Sequence, residues 1–235
     1  MSLNRIFPIE KWNFITASAL GLLTTDDYNR LLINSTSHIY KKGEIIFREN
    51  TLPAGVFLVL SGKVKKYKAD HTGRRQTIYV AGNRELVGYH AVLSRERYSD
   101  SAAALEGSRI CFIPTDDFMF TVKNCPYFAQ QLLGALSHEV MVLANSVLVF
   151  AQRNAAERLA IALIVLREKY KEDGTINANT VLTVSRADLA DIAGIAEENV
   201  TRLLKEFKEE GLLTRESRNI VVTDIKGLIK RSNYK

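Results

Sequence analysis

Apolar and polar residues follow different rhythms along this chain. Between His38 and about Pro114, short β-type runs alternate with turn residues: Ile45–Phe47, Gly55–Leu60, Gly62–Tyr67, Gln76–Val80 and Arg109–Ile113. Glycines at 43, 55, 62, 73, 82 and 88 punctuate them. Many short strands at this spacing predict a β-sandwich or small barrel. Lys63, Lys65, Lys66 and Lys68 read as the wet face of one strand, with an anion site as the alternative. From about Asp116 the rhythm turns helical. Leu133, Leu136, Val140, Leu143, Val147 and Phe150 recur at spacings of 3, 4, 3, 4 and 3. That a/d pattern lays one narrow apolar stripe along a long helix. A partner helix of the same kind in a two-fold dimer would cover it; the other reading is an amphipathic helix lying on its own barrel.

Local signals bound the remaining helices. Residues 1–20 have no clear pattern. Thr24, followed by Asp26, Asp27, Tyr28, Leu31 and Leu32, predicts a short capped helix. Asn154 with Glu157 is a capping box that opens a helix with Leu159, Ala160, Leu163, Ile164 and Leu166 inward, running to about Tyr170 and closed by Asp173-Gly174. A polar connector, Thr175–Leu182, follows. Ser185 with Asp188 is a second capping box, with Leu189, Ile192 and Ala193 inward. Gly194 then stands where a sharp turn needs a permissive backbone. A further helix from about Glu197 carries the stripe Val200, Leu203, Leu204 and Phe207 and ends near Gly211. After it, Leu212–Arg215 and Asn219–Thr223 predict two strands across a Glu-Ser-Arg turn. The sum is a helix-turn-helix with a β wing. Its second helix can offer side chains to base edges in a major groove; the bland reading is a pair of packed surface helices.

Composition narrows the function classes. The chain has 235 residues, 46% hydrophobic and 25% charged, which suits a soluble globular protein of two domains. It contains no unbroken apolar run of about 18 residues, so no membrane span is expected. The N-terminus lacks the apolar core of a signal peptide. Cys111 and Cys125 match no metal or redox spacing, which fits a reducing cytoplasm. The net charge of +6 favours an anionic partner. Ser185–Lys235 has ten Lys/Arg against nine Asp/Glu, but Arg215–Lys235 has six against two, so phosphate-attracting charge lies mainly in the tail. No nucleophile–base motif and no His/carboxylate cluster of metal-enzyme type is present, and an enzyme is not expected.

The order barrel, seam helix, helix-turn-helix and wing resembles the bacterial cyclic-AMP receptor protein/FNR (Crp/Fnr) family of transcription regulators. The resemblance runs from about Thr24 to Ile225. It is carried by Lys42-Gly43-Glu44-Ile45-Ile46-Phe47, Leu60-Ser61-Gly62-Lys63-Val64, Arg158-Leu159-Ala160 and the Ser185–Arg202 block. It implies an α+β fold: a cyclic-nucleotide-binding-like β-barrel of jelly-roll type over residues 1–123, a dimerisation helix over 124–152, and a winged helix-turn-helix over 153–235. It implies a cytoplasmic homodimer on a pseudo-palindromic operator in double-stranded DNA, with RNA polymerase as a further partner. The family's reading helix commonly presents a Glu and an Arg four residues apart with Ser before the Arg; here these are Glu198, Arg202 and Thr201. Arg202 can donate to guanine O6 and N7, and Glu198 can accept from a cytosine amino group. Glu197 stands where the cyclic-AMP receptor has a second base-reading Arg, so the preferred site should differ. Ser185 and Arg186 match the position that grips phosphate. Asn199, Lys205 and Arg218 complete the candidate DNA-binding set.

The effector site departs from the family's nucleotide-binding pattern. Cyclic-AMP binders carry Gly-Glu and then Arg-Ser around the ribose and phosphate; the matching positions here are Gly88-Tyr89 and Tyr98-Ser99. Mid-seam, their Thr-Ser pair is replaced by Leu143-Ala144. Tight cyclic-AMP binding is therefore not expected, because a phosphate pocket without its Arg loses several kcal/mol. An iron–sulfur cluster of the family type needs four cysteines and two exist. Haem needs an axial ligand, and His38, His71, His90 and His138 sit in no recognisable motif. Gly88, Tyr89, His90, Tyr98, Ser99 and Leu143 are the candidate pocket for an unidentified small molecule. Two other readings remain open: a ligand-independent regulator with a purely structural barrel, and a small-molecule-binding barrel without a DNA function.

Overall fold

The computed structural model describes Leu3 and residues 6–171, 180–216 and 219–234. They fall into two units: Phe14–Lys68 with Tyr79–Met141, and Met1–Asn13 with Ala69–Ile78 and Val142–Lys235.

The first unit starts with two short helices, α1 (Thr16–Leu20) and α2 (Thr25–Leu31). Thr24 caps α2 by accepting from the Asp27 amide at 3.1 Å, as its position predicts. The strands are β1 (Thr36–Tyr40), β2 (Ile45–Phe47), β3 (Gly55–Ser61), β4 (Val64–Ala69), β5 (Arg75–Ala81), β6 (Leu86–Val87), β7 (Ser101–Ala104) and β8 (Ser108–Pro114). Helix α3 (Tyr89–Ser94) interrupts them; α4 (Thr115–Asn124) and α5 (Pro126–Gln152) follow. The strands make two four-stranded sheets, ordered β1-β8-β3-β6 and β2-β7-β4-β5.

Strand β3 is buried on both faces, which is why it reads as an unbroken apolar run. Its residues still alternate. Val56 and Leu58 join Cys111 and Ile113 of β8 in a core with Leu20, Leu31, Tyr89, Phe118, Phe128 and Leu132 from the helices. Phe57 belongs to an aromatic set with Phe47 and Phe112, its ring centroid 5.5 and 5.3 Å from theirs. The lysines of β4 correct the sequence reading. Lys63, just before β4, and Lys65 and Lys66 within it are buried, not a wet face; β4 lies inside its sheet between β7 and β5. The Lys66 ammonium is 3.3 Å from the Asp100 carboxylate. Only Lys68 reaches solvent, paired with Glu49 at 3.2 Å.

In the second unit, α5 ends and α6 (Ala155–Lys171) begins at Asn154. The Asn154 side chain accepts from the amides of Ala156 and Glu157, and Glu157 accepts from the Asn154 amide at 2.9 Å. Then come β9 (Val181–Thr183), α7 (Arg186–Ala193), α8 (Glu197–Glu209), β10 (Leu213–Glu216), β11 (Asn219–Val222) and α9 (Ile225–Ser232). The wing is a three-stranded sheet ordered β10-β11-β9, and α6 packs against α7, α8 and α9. Phe7, Trp12 and Tyr234 form an aromatic cluster joining the N-terminal segment to the end of α9. The expected Asp173-Gly174 stop and most of the Thr175–Leu182 connector lie outside the described residues.

Helix α5 carries two heptad stripes. Phe128, Leu132, Ala135, Glu139, Val142 and Val149 are buried. Of the expected seam, Leu133 (65% exposed), Val140 (66%) and Val147 (68%) face outward, and Leu143 is 39% exposed. The other two seam residues are half-buried within the protomer. Leu136 packs on the first unit's core. Phe150 turns to Arg158, whose guanidinium carbon is 5.9 Å from its ring centroid. The open stripe runs through Leu133, Val140 and Val147 with exposed Ser137, Ala144 and Ala151, and Met141 and Leu148 flank it. By length and composition alone α5 could cross a membrane, with mean hydropathy 1.6 in its most apolar window; the expectation from unbroken runs did not register this average.

Candidate nucleic-acid interface

Helix α7 begins at Ser185, whose hydroxyl accepts from the Asp188 amide at 3.0 Å and donates to its carboxylate at 2.6 Å. The capping residue is thereby half-buried, while Arg186 is exposed beside it. The helix stops at Gly194, which has φ 62° and ψ 42°. Only glycine fits well here. A Cβ would lie 2.7 Å from Gln76 Oε1 and 3.0 Å from the Phe150 ring. Gln76 also donates to the Asp191 carbonyl at 2.9 Å, so the turn is packed from two sides.

Helix α8 leaves this turn with Val200, Leu203, Leu204 and Phe207 fully inside. Helical periodicity therefore drives the other face outward. Glu197, Glu198, Thr201, Arg202 and Lys205 are exposed, and Asn199 is half-buried. Two outward cations make pairs along the helix: Arg202 Nη1 with Glu206 Oε2 at 3.4 Å, and Lys205 with Glu209 at 3.8 Å. These are long, exposed contacts of small energy, which leaves both cations available to a ligand. Arg202 thus pairs one turn onward with Glu206.

An open cleft of about 300 Å³ separates the start of α7 from the wing. Val184, Ser185, Arg186, Glu197, Arg215 and Ile220 are among its lining residues. Arg215 was missed in the sequence. Strand β10 brings it beside Ser185 and Arg186, and its place in the basic tail was the one available signal. Arg218 lies outside the described residues.

The expected effector residues fall into different settings. Gly88 has φ 81° and caps α3; a Cβ there would touch Tyr98 at 3.0 Å and Phe47 at 3.3 Å. The Tyr98 ring stacks on Phe47 with centroids 4.1 Å apart, and its hydroxyl donates to the Gly55 carbonyl at 2.8 Å. Burial pushes this phenol up to about 12. Tyr89 is buried and donates to Glu139 of α5, while His90 Nε2 is 2.6 Å from the other oxygen of that carboxylate. Burial, then the charge of Glu139, raises the Tyr89 pKa far above the usual phenol range. Ser99 and Leu143 are exposed. The Tyr98 ring packs on Phe47, and the Tyr89 ring lies 4.1 Å from the His90 ring by centroids. Among the described residues, no group of three or more His, Cys, Asp or Glu side chains is placed to hold a metal ion.

Residues 37–125 match the cyclic nucleotide-binding domain, and residues 157–231 match the Crp-like helix-turn-helix domain. Transcriptional activator protein FnrA of Stutzerimonas stutzeri is 30% identical over 188 residues, covering 80% of this chain and 77% of that protein. The anaerobic regulatory protein of Haemophilus influenzae is 27% identical over 190 residues, covering 81% of this chain and 74% of that protein. Among solved structures, FixK2 from Bradyrhizobium japonicum superposes with a TM-score of 0.74 at 23% identity, covering 84% of this chain and 96% of that one.

Proposed function

The chain belongs to the Crp/Fnr family of DNA-binding transcription regulators, and from that membership we propose how it reads its operator. The protein works as a homodimer on a pseudo-palindromic site, with one α8 in each of two successive major grooves about 34 Å apart. Arg202 donates to guanine, Glu198 accepts from cytosine, and Thr201 contacts the bases or backbone between them. Glu197, Asn199 and Lys205 border that contact. Ser185, Arg186 and the wing's Arg215 hold phosphate around the cleft, with Arg218 as a further candidate. The observation carrying this reading is the clean division of α8: its whole apolar stripe is buried, and its acid-and-guanidinium face is open. The dimer forms along α5 through Leu133, Val140, Leu143 and Val147, with Ala144 and Ala151 letting the two helices approach. A cytoplasmic location and a contact with RNA polymerase belong to the same reading.

The barrel answers to something other than cyclic AMP. Where a nucleotide would meet a Glu and an Arg, this chain has two buried tyrosines, one stacked on Phe47. Replacing a phosphate-binding Arg by a phenol removes the charge that offsets phosphate desolvation. The chain's two cysteines cannot supply four thiolates to an iron–sulfur cluster. An isothermal titration should show no micromolar affinity for cyclic AMP.

The test of the DNA reading is selection of bound duplexes from random sequence, followed by affinity measurements on the selected site. Arg202→Ala should cost roughly 1–3 kcal/mol of specific binding and leave the dimer intact. Equal binding by the variant and the parent refutes the assignment. The parent's affinity should fall steeply with added salt; salt-independent binding would point to a protein-binding role instead.

A further inference from the structure

We infer that Arg231, on α9 and outside the base-reading face, tunes sequence discrimination by holding the Glu206 carboxylate when Arg202 leaves it for a base. The inference rests on the reading of Arg202 as a guanine contact.

Glu206 lies one turn beyond Arg202 on α8 and is half-buried. Its two oxygens have different partners. Oε2 takes Arg202 Nη1 at 3.4 Å, whereas Oε1 takes the Arg231 guanidinium in a close contact. The two holds are unequal. The Arg202 side chain is 63% exposed and makes one long contact with Glu206. The Arg231 side chain is 36% exposed, its guanidinium carbon lies 5.7 Å from the ring centroid of buried Phe207, and its Nε is 3.7 Å from Glu210. An arginine packed on a ring and in close contact with one carboxylate stays in place, and the exposed one exchanges.

To reach a base, Arg202 must give up Glu206. With Arg231 in place, the carboxylate keeps a cation and the exchange leaves no bare charge facing the phosphates. Without it, the full charge of Glu206 would act on Arg202 alone and would repel the DNA. This matters because α8 has little charge to spare. It carries Glu197, Glu198, Glu206 and Glu209 against Arg202, Lys205 and Lys208, four acids to three bases.

The test uses the intact protein and an operator selected from random DNA. Each half-site guanine is replaced in turn by 7-deazaguanine, which lacks the N7 acceptor. Fluorescence anisotropy at fixed salt gives affinities for the parent, Arg231→Ala, Arg231→Lys, Glu206→Gln, and Glu206→Gln with Arg231→Ala. Thermal melting of each protein tracks the fold. The parent should lose about five- to tenfold at one guanine. Arg231→Ala should bind the natural operator about three- to fivefold more weakly, Arg231→Lys should restore most of this, and Glu206→Gln should bind about twofold more tightly, the scale of an exposed pair. Adding Arg231→Ala to Glu206→Gln should change affinity by less than about twofold, because the competition is gone. On the duplex with that guanine replaced, the single variants should converge on the parent. An equal cost of Arg231→Ala in both Glu206 backgrounds would make Arg231 a direct phosphate contact or a fold determinant and overturn the inference, leaving the guanine contact standing. If no guanine is sensitive in the parent, the Arg202 reading itself fails and this inference falls with it.

Discussion

Gly194→Ala should be among the most costly single methyl additions in the DNA-binding unit. Two effects combine. The residue has φ 62°, and an alanine in that left-handed region costs about 1–2 kcal/mol. The added methyl would also meet Gln76 Oε1 at 2.7 Å and Phe150 at 3.0 Å. Gln76 can shift, but only by giving up its bond to the Asp191 carbonyl, worth about 1 kcal/mol. Displacing Phe150 adds about 1 kcal/mol of overpacking. The gain from a stiffer unfolded chain returns roughly 0.5 kcal/mol. The sum is a loss of about 3 kcal/mol. Gly211→Ala supplies the control. Its φ is 74°, but a Cβ there meets nothing within 4 Å, so only the backbone cost applies, about 1 kcal/mol. The chain's one tryptophan, Trp12, packs on Phe7 and Tyr234 in this unit, so its fluorescence reports this unit's unfolding in urea. A 2 kcal/mol difference should separate the two midpoints by about 1 M. If the two variants unfold within about 0.5 kcal/mol of each other, the turn is not packed as described and the contact argument is wrong.

Val140→Glu should dissociate the dimer without unfolding the protomer, since Val140 is 66% exposed and two carboxylates would meet across the axis; sedimentation equilibrium at unchanged dimer affinity would move the interface off this stripe. Asp100→Ala leaves the Lys66 ammonium buried without its carboxylate and should cost about 3 kcal/mol in urea unfolding followed by circular dichroism. A loss below 1 kcal/mol would mean that Lys66 finds another partner or water. The Glu157 pKa is lowered: partial burial opposes this, but the Asn154 amide and then the Asn233 side chain, both donating to its carboxylate, prevail. A depressed folded pKa makes its contribution complete above its ordinary value of 4.5 and lost as pH falls below it. Glu157→Gln should therefore flatten the acid side of the Trp12-monitored stability curve, and an unchanged slope would exclude the cap as its source.

The signals that read correctly from sequence are local. Ser185 with Asp188, Asn154 with Glu157, and Thr24 with Asp27 each close a bond within three residues, so the chain specifies them before any long-range contact forms. Gly194 and the stripe of α8 follow from backbone freedom and helical period in the same way, and with them the face that carries Glu198 and Arg202. What remained hidden depends on segments far apart in the chain. Tyr98 meets Phe47 between neighbouring segments of one sheet, Arg215 lines the same cleft as Ser185 through the wing, and Arg231 reaches Glu206 from α9. The lysines of β4 misled because charge implies solvent, and only the neighbouring strands reveal that their stems are covered. The seam shows the boundary most plainly. Leu133, Val140 and Val147 keep a heptad equally with Leu136, Leu143 and Phe150 or with Ser137, Ala144 and Ala151. Periodicity is the same for both columns, and only the tertiary structure shows that Leu136 and Phe150 already have packing partners within the protomer.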